Sequence, residues 1–363
     1  MDAKNSTSKL STSTWAGWLM AAPAFVLISL FVVIPFFFAF GLSFTNQRLI
    51  SPNPTEYVGM SNFKQLLGVG VLTLEPVVDA ATKTPVLDAE GKPTYPTLRS
   101  ITRNNPKFPQ YAGMRDLFSF FWGENQIVVL AQDTLFIKAL FNTFIFVILV
   151  APIQGALALC LALMINQKLP GINIFRTIYF MPVVVSIVVV ALLWRFIYDG
   201  NNGLLNTLLG FLSFGLFEPV DWLGQPSTAL GSIIAMSIWQ AVGFHMVIWL
   251  SGLQTIPAAL YEAADIEGAS SWQKFSYITW PGLRNTAVLV LIVITMQAFS
   301  LFAQVDVMTS GGPVDSTQTV VYQAVQRGYV KQDIAGGSTI SVILFLIVLS
   351  ISLIQRYLTR EKN

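Results

Sequence analysis

The chain has 363 residues, of which 54% are hydrophobic and only 11% are charged. Soluble domains carry about twice that fraction of charged residues, so the composition excludes an ordinary soluble protein and predicts an integral membrane protein. With a net charge of +2, the electrostatics indicate neither a nucleic acid nor an acidic substrate as a partner.

Six apolar segments are long enough to cross a bilayer, since a helical span needs about 20 residues. They cover approximately residues 17–41, 138–165, 176–197, 230–253, 284–306 and 336–357. The predicted fold is therefore all-α, an integral membrane protein with six transmembrane helices. The first segment is too long for a cleaved signal peptide and has no obvious cleavage site after it, so we interpret it as the first span.

Basic residues flank the spans on one side, in both tails and in the turn between the second and third spans. They are Lys4, Lys9, Lys168, Arg176, Arg356, Arg360 and Lys362. Cytoplasmic loops are enriched in lysine and arginine, and an even number of spans leaves both termini on one side. The sequence thus predicts cytoplasmic tails at 1–16 and 358–363, a first transmembrane helix at 17–44 and a five-helix core at 134–357.

A long segment, 45–133, separates the first span from this core and is rich in proline, asparagine, threonine and charged residues. Long loops translocate largely regardless of their charge, so we predict an extracytoplasmic loop or a small inserted domain. Its run from Gly68 to Val78 contains Glu75 and is too short for a span.

The chain lacks the phosphate-binding string GxxxxGK[ST], so we do not expect it to bind and split ATP by that route. Ion-coupled carriers hold ionisable residues deep in the membrane, whereas the mid-span positions here are almost free of charge. His245, alone on an apolar span, is interpreted as a packing residue rather than a proton relay.

The single cysteine, Cys160, excludes an internal disulfide and argues against a cysteine-based metal site; we expect it to lie in the core. We predict no metal site and no cofactor in this chain.

Uncharged polar residues inside the spans are candidates for the lining of a substrate pathway. They are Ser186, Ser237, Gln240, Gln297, Ser300 and Gln304. Amides and hydroxyls both donate and accept hydrogen bonds, which suits a neutral, hydroxyl-rich cargo. Gln297, Ser300 and Gln304 recur at i, i+3 and i+7, on one face of the fifth span. The same stripe fits an interhelical hydrogen-bond seam equally well.

The segment 255–283, which we call the acidic loop, lies between the fourth and fifth spans. It carries Glu262, Asp265 and Glu267 beside small alanines, where a cytoplasmic loop usually shows an excess of basic residues. We interpret it as a docking site for a basic, close-fitting partner. The alternative is an interfacial element that lies against lipid headgroups, although such elements favour lysine and arginine.

Two short helices are predicted within the acidic loop. Residues 258–266 are fair to good helix formers, and Gly268 is placed to end that helix in a left-handed conformation. Ser270 or Ser271 can cap a second helix, which we expect to run until Pro281.

The acidic loop resembles the EAA---G---------I-LP segment of permease subunits of binding-protein-dependent ABC importers. The residues at the family's spacing are Glu262, Ala263, Ala264, Gly268, Ile278 and Pro281. Trp280 stands where leucine is usual, and Glu267 where aspartate is common. Other strings resemble the maltose-transport-type permeases of the carbohydrate branch: GMSNF at 59–63, ALFNT at 139–143, YFMP at 179–182, GLLN at 203–206 and TSGGP at 309–313.

The resemblance implies a type I ABC importer permease fold in a bacterial cytoplasmic (inner) membrane, with a long external loop after the first helix. It also implies partners: a second permease, in a heterodimer, two cytoplasmic ATPase subunits that hold ATP and Mg, and an extracytoplasmic solute-binding protein. The cargo of such a permease is a sugar, an oligosaccharide or a related polyol glycoside. The residues implied to dock on the ATPase are Glu262, Ala263, Ala264, Asp265, Gly268, Ile278 and Pro281.

Two other functions compete with this interpretation. An ion-coupled or facilitative secondary carrier for a neutral solute is disfavoured by the near absence of charge at mid-membrane. A membrane-embedded enzyme is disfavoured because no cluster of His, Asp or Glu lies at membrane depth. We therefore expect a transport subunit without catalytic residues.

Overall fold

The structure is a computed structural model that describes residues 7–79, 84–103, 105–167 and 171–359. It begins with helix α1 (Thr7–Ile28), which continues through a π-helical turn (Ser29–Val33) into α2 (Ile34–Leu42). The helix therefore starts well before the predicted span. Several of the basic residues used to orient the chain, Lys4, Lys168, Arg360 and Lys362, lie outside the described residues.

The segment after α2 contains a three-stranded antiparallel sheet. Its elements are α3 (Ser61–Leu67), β1 (Val69–Leu74), α4 (Leu98–Thr102), a 3₁₀ turn (Pro109–Tyr111), β2 (Arg115–Trp122) and β3 (Asn125–Ala131). The strand order is β1-β3-β2, with Val69 opposite Ala131 and Trp122 opposite Asn125. The all-α prediction is therefore wrong for this segment.

Alternating burial explains why these residues form strands. In β1, Leu72 and Leu74 point to one face, where they pack with Val128 and Leu130 of β3 and with Ile101. This period of two is typical of a half-buried strand, and β-branched residues in β3 favour the pleated conformation. The apolar run at 68–78, which we did not count as a span, forms β1.

The remaining chain is helical in its described parts. Its elements are α5 (Thr134–Ile165), α6 (Ile172–Val184), α7 (Ile187–Ile197), α8 (Leu204–Leu212), α9 (Ala229–Gln254), α10 (Ala258–Ile266), α11 (Ser271–Lys274), α12 (Trp280–Gly282), α13 (Arg284–Phe299), α14 (Ala303–Met308), α15 (Val320–Val325) and α16 (Ile334–Thr359). Two further π-helical turns lie at Phe275–Thr279 and Gln326–Val330.

Four helical stretches of the described chain are long and apolar enough to cross a membrane on their own. They are Gly17–Leu42, Thr134–Ile165, Ala229–Gln254 and Ile334–Leu358. The pair α6 and α7 is bent by 98°, and α11–α12 is bent by 67° against α13. The count reaches the predicted six only if each bent pair is one span.

The third and fifth predicted spans are not continuous helices. Val185 and Ser186 adopt extended backbone conformations, with ψ of 138° and 132°, and they separate α6 from α7. In the fifth, α13 ends at Phe299 and the helix resumes only at Ala303. Hydropathy detects the apolar stretch in both cases but is insensitive to a break of two or three residues, because these residues are themselves apolar or small.

Close packing of α5, α9 and α13 forms the centre of the helical part. At Gly243 of α9, an added Cβ would lie 2.0 Å from the carbonyl oxygen of Tyr179 on α6. The indole N–H of Trp249 donates to the carbonyl oxygen of Gly155 at 3.1 Å. Cys160 is exposed, so the expectation that it lies in the core is wrong: it sits on a face of α5 that no described element covers.

An ion-pair cluster joins the sheet to the last helix. Arg327 contacts Asp133 at 2.7 Å and Asp333 at 2.9 Å. Asp133 follows β3 directly and accepts a hydrogen bond from the backbone N–H of Phe136, which caps α5. Asp333 accepts one from Gly336 N at the start of α16. The cluster places the sheet on the side of the molecule where α5 begins and α16 begins.

Candidate functional site

A cavity of about 320 Å³ opens where α5, α6, α7, α9, α13 and α14 approach one another. This volume is at the lower end of the range of small-molecule sites, about 300–1,000 Å³. Its walls are mainly apolar and come from Phe146, Val150, Val183, Ile187, Ala241, Phe244, Ile294, Ala298 and Leu301. Within the described residues, no charged side chain lines it.

The polar part of the lining consists of four glutamines and a serine. They are Gln154, Ser237, Gln240, Gln297 and Gln304. Four of these residues were predicted from the sequence. The side-chain oxygen of Ser237 is buried and has no hydrogen-bond partner within the described residues.

Gln154 is the lining residue that the sequence interpretation missed. It is only 2% exposed, and its amide nitrogen lies 2.7 Å from Nδ1 of His245. That ring nitrogen also lies 2.9 Å from the carbonyl oxygen of Ala241. His245 is fully buried, and it holds Gln154 in place, which agrees with a packing role for this histidine. A polar residue in the middle of the second span was the signal that we overlooked.

Ser186 and Ser300 do not line the cavity. Ser186 is exposed at the bend between α6 and α7, and Ser300 is exposed and donates to the carbonyl oxygen of Met296 at 3.0 Å. The predicted stripe fails for Ser300 because α13 ends at Phe299. Gln297 and Gln304 reach the same cavity from two separate helices, α13 and α14.

The acidic loop forms two short helical arms. Pro257 is the N-cap of α10, and Glu267 is its C-cap. Gly268 follows with φ of +71°, the left-handed conformation that ends a helix. Ser270 then caps α11 in a capping box with Gln273. These features agree with the two helices that we expected.

The second arm does not end at Pro281, contrary to the prediction. The helix passes through the π-helical turn, Phe275–Thr279, and continues to Gly282 in α12. Proline lacks the N–H for a regular intrahelical hydrogen bond, and here it directly follows the π-helical turn, where the regular hydrogen-bond pattern is already interrupted. The chain bends only afterwards, before Arg284.

A groove runs between the two arms. It is lined by Ala264, Glu267, Gly268, Ala269, Gln273, Lys274, Tyr277 and Ile278. Tyr261 and Thr279 bridge the arms through their hydroxyls at 2.8 Å, and Lys274 pairs with Asp265. Of the seven predicted docking residues, Ala264, Gly268 and Ile278 line the groove. Glu262, Ala263, Asp265 and Pro281 are exposed beside it.

Comparison with known proteins gives a family match over the helical part. The family described as "Binding-protein-dependent transport system inner membrane component" matches residues 154–362. The lactose transport system permease protein LacF of Rhizobium radiobacter is 34% identical over 275 residues, which are 74% of this chain and 89% of that protein. The sn-glycerol-3-phosphate transport system permease protein UgpA of Yersinia pestis is 32% identical over 247 residues, 68% of this chain and 82% of that protein.

Among solved structures, a bacterial ABC transporter involved in the import of the acidic polysaccharide alginate is similar in fold. The TM-score is 0.68 at 19% sequence identity, and the match covers 98% of each chain. At this identity the likeness concerns the fold alone. Because it covers almost the whole chain, it includes the sheet segment between α2 and α5.

Proposed function

The chain belongs to the family of binding-protein-dependent transport system inner membrane components, and from this membership we propose that it is one of two permease subunits of an ATP-driven ABC importer. Its relatives LacF and UgpA are transport permeases by name. In this proposal the chain forms half of the translocation pathway and performs no catalysis. The observation that carries it is the joint presence of a polar cavity among the spans and of the two-armed acidic loop.

The cargo that the cavity suits is a neutral sugar, oligosaccharide or related polyol glycoside. Four glutamine amides and the Ser237 hydroxyl line it among apolar walls, and such groups match the donors and acceptors of sugar hydroxyls. LacF is named for lactose transport, whereas UgpA is named for a phosphate ester. A phosphate would be buried without a cationic partner from this chain, which is costly; the lining therefore favours a cargo of the uncharged kind.

The acidic loop is the proposed docking site for a cytoplasmic ATPase subunit. Its exposed Glu262 can pair with an arginine or lysine of the partner, and the small Ala263 and Ala264 allow a second backbone to approach. Glu267 at the rim of the groove adds a second carboxylate. In this proposal ATP and Mg bind to two ATPase subunits, and their closure moves the permease pair.

The remaining partners follow from the family. Its description is that of a binding-protein-dependent system, so an extracytoplasmic solute-binding protein delivers the cargo. We propose that the second permease is a different chain. We also propose that this chain lies in a bacterial inner membrane, with both termini on the cytoplasmic side. The sheet between α2 and α5 then faces outwards.

Affinity purification of the tagged chain in a mild detergent tests the proposal. The native chain is compared with a Glu262→Lys plus Gly268→Pro variant, and Glu218→Lys serves as a charge-matched control, because Glu218 is exposed far from the acidic loop. All versions must reach the membrane equally. We expect the native chain and the control to bring an ATPase and a second permease, and the double variant to lose the ATPase.

The proposal is contradicted if the native chain purifies alone and still moves solute across liposome membranes without ATP. The chain is then a secondary carrier. Dependence of that movement on an ion gradient would then separate ion-coupled from facilitative transport.

A further inference from the structure

Helix α8 turns its apolar side outwards. On this nine-residue helix, Leu204, Leu208 and Leu212 recur at i, i+4 and i+8, which places them on one face. They are exposed, as is Phe211, which is 80% accessible. Phe214 and Leu216 extend the face beyond the helix at 97% and 87% accessible. A water-facing helix would show the opposite arrangement.

The polar side of α8 faces the protein through Asn206. This side chain is only 6% exposed, and its amide nitrogen donates to the carbonyl oxygens of Gly200 at 3.0 Å and Val220 at 2.9 Å. Its oxygen accepts from the indole N–H of Trp222 at 2.8 Å. These hydrogen bonds of Asn206 join the helix to the loop before it and to the loop after it. They therefore fix the orientation in which the apolar face of α8 points outwards.

Phe214 adopts a backbone conformation that aromatic residues rarely take. Its φ is +54°, in the left-handed region that glycine occupies at many helix ends. The helix is closed by a hydrogen bond from Gly215 N to the carbonyl oxygen of Gly210 at 2.8 Å, a bond for which glycine at position 214 would serve as well. A large apolar side chain held in an unfavourable conformation and fully exposed indicates a role outside the fold.

The depth of α8 follows from its neighbours. Helix α9 has 26 residues and is about 39 Å long at 1.5 Å per residue, so it exceeds a hydrocarbon core of about 30 Å by roughly 4–5 Å at each end. Ser232 lies three residues into α9, near the hydrocarbon boundary. Tyr198, directly after α7, donates its hydroxyl hydrogen to the carbonyl oxygen of Ser232 at 3.1 Å. The chain therefore leaves α7 at this boundary, and α8 begins six residues later.

Aromatic rings mark the same level. The ring of Tyr198 lies 5.0 Å from that of Trp194 and 6.4 Å from that of Trp222, in the loop before α9. Tryptophan and tyrosine are enriched where a bilayer meets water. Residues 200–217 contain no Asp, Glu, Lys or Arg, so nothing charged would have to leave water when this segment enters the lipid.

We propose that α8 and its turn at Phe214 insert into the leaflet of the bilayer on the side of the sheet, where acyl chains cover Leu208, Phe211, Phe214 and Leu216. A soluble partner that docks and departs would leave this surface in water in every cycle, whereas lipid covers it throughout. The segment is thus an interfacial anchor that holds the outer end of α7 at a constant depth. This inference is independent of the cargo and of the docking role of the acidic loop.

Site-directed fluorescence tests the anchor. Because Cys160 is the only cysteine, Cys160→Ser gives a cysteine-free background into which Phe214→Cys is introduced and labelled with bimane. The chain is reconstituted together with the subunits that co-purify with it. Quenching by lipids that carry a nitroxide near the headgroup end of the acyl chain is compared with quenching by iodide in the water.

Two control positions calibrate the measurement. Leu193→Cys lies on the exposed face of the α7 half-span, and Asn202→Cys lies in the exposed turn before α8. We expect position 214 to resemble 193, with strong quenching by the nitroxide lipid and a loss of the iodide quenching that is seen at 202. Phe211→Cys gives the same test if the 214 variant does not fold.

Either of two results overturns the proposal. Strong iodide quenching at 211 and 214 would show that the face lies in water. Quenching by neither agent would show that protein, such as the second permease, covers it. Both results are distinguishable from failure of the proposed importer function, because they are read from the position of the label and not from transport.

Discussion

At the scale of single residues, Gln297 and Gln304 carry the most direct prediction about cargo. Each lines the cavity, and a hydrogen bond between uncharged groups contributes about 1 kcal/mol. We therefore expect Gln297→Ala and Gln304→Ala each to raise the apparent KM for a neutral sugar by roughly 5-fold, at about 1.4 kcal/mol per factor of ten. Uptake of radiolabelled lactose and maltose by the complete importer measures this.

Ser300→Ala is the matched control for the two glutamine variants. It lies within the same predicted span but outside the cavity lining, and its hydroxyl bonds to the carbonyl oxygen of Met296. Its uptake should equal that of the native chain. If all three variants transport normally, the glutamines belong to a hydrogen-bond seam between helices and not to the substrate pathway.

Gly243 tests the packing of the broken span. An alanine Cβ here would lie 2.0 Å from the carbonyl oxygen of Tyr179 and 2.7 Å from its carbonyl carbon. These are backbone atoms, so α6 must shift, and overpacking of this kind costs about 1–3 kcal/mol. We expect Gly243→Ala to lower the thermal unfolding midpoint of the purified chain in detergent.

The control for this substitution lies on the same helix. At Gly231 an added Cβ meets nothing within 4 Å, so Gly231→Ala should leave the midpoint unchanged or raise it, since alanine is favoured over glycine in a helix by up to about 1 kcal/mol. Equal midpoints for the two variants would show that α6 does not pack against α9 as described.

Residues of the cavity lining could be predicted from the sequence only in part, because the sequence shows which residues are polar but not where a helix breaks. Ser237, Gln240, Gln297 and Gln304 could be found because a polar group in an apolar span needs a partner or a ligand. Ser186 and Ser300 satisfy the same criterion, yet they lie at breaks between helices. Ser186 is the N-cap of α7 and Ser300 is the C-cap of α13, so neither faces the cavity. Without knowledge of the breaks, the two kinds of position look identical.

At the scale of elements, the acidic loop was predictable because its determinants are short-range. Gly268 adopts a left-handed φ and Ser270 forms a capping box, as their residue types indicate. Replacing Ser270 by alanine removes the cap, at a cost of about 1 kcal/mol. Amide hydrogens of α11 should then exchange roughly 5-fold faster in hydrogen-exchange mass spectrometry, provided that exchange follows local opening.

Ser271→Ala is the control for the capping prediction. Ser271 is the next residue, inside the helix rather than at its N-cap, and alanine is a good helix former. Its exchange should be unchanged or slower. Equal acceleration in both variants would indicate that loss of a hydroxyl, and not loss of the cap, loosens this arm.

Other elements could not be predicted from local pattern alone. The bend between α6 and α7 needs only two extended residues, Val185 and Ser186, and no glycine marks it. The sheet is formed by segments far apart in sequence, since β1 at Val69–Leu74 pairs with β3 at Asn125–Ala131. Such pairings depend on register and long-range packing, which hydropathy does not record.

At the scale of the whole molecule, composition and apolar run length predicted a multi-span membrane protein, and family membership confirms an inner membrane component. The structure adds a specific question about topology. If each bent pair, α6–α7 and α11–α13, crosses the membrane, the chain has six spans. If the bent pairs are re-entrant, only four described helices cross, and the loops between α7 and α11 change sides.

Two exposed positions distinguish these topologies. Asn202 lies between α7 and α8, and Ile266, which is 87% exposed, lies in the acidic loop. In the cysteine-free background, a membrane-impermeant maleimide applied to intact spheroplasts should label Asn202→Cys. It should label Ile266→Cys only after denaturing detergent opens the membrane and removes any bound subunit.

The ion-pair cluster of Arg327, Asp133 and Asp333 limits the possible topologies. Arg327 ties Asp133, at the start of α5, to Asp333, at the start of α16, so both helices enter the membrane from the same side. Six spans satisfy this, and so do four. Only with six does Asn202 lie on the side of the sheet while Ile266 lies opposite. Four spans would reverse the labelling of both positions and place the acidic loop where no cytoplasmic ATPase could reach it, so this result would exclude the importer mechanism as proposed.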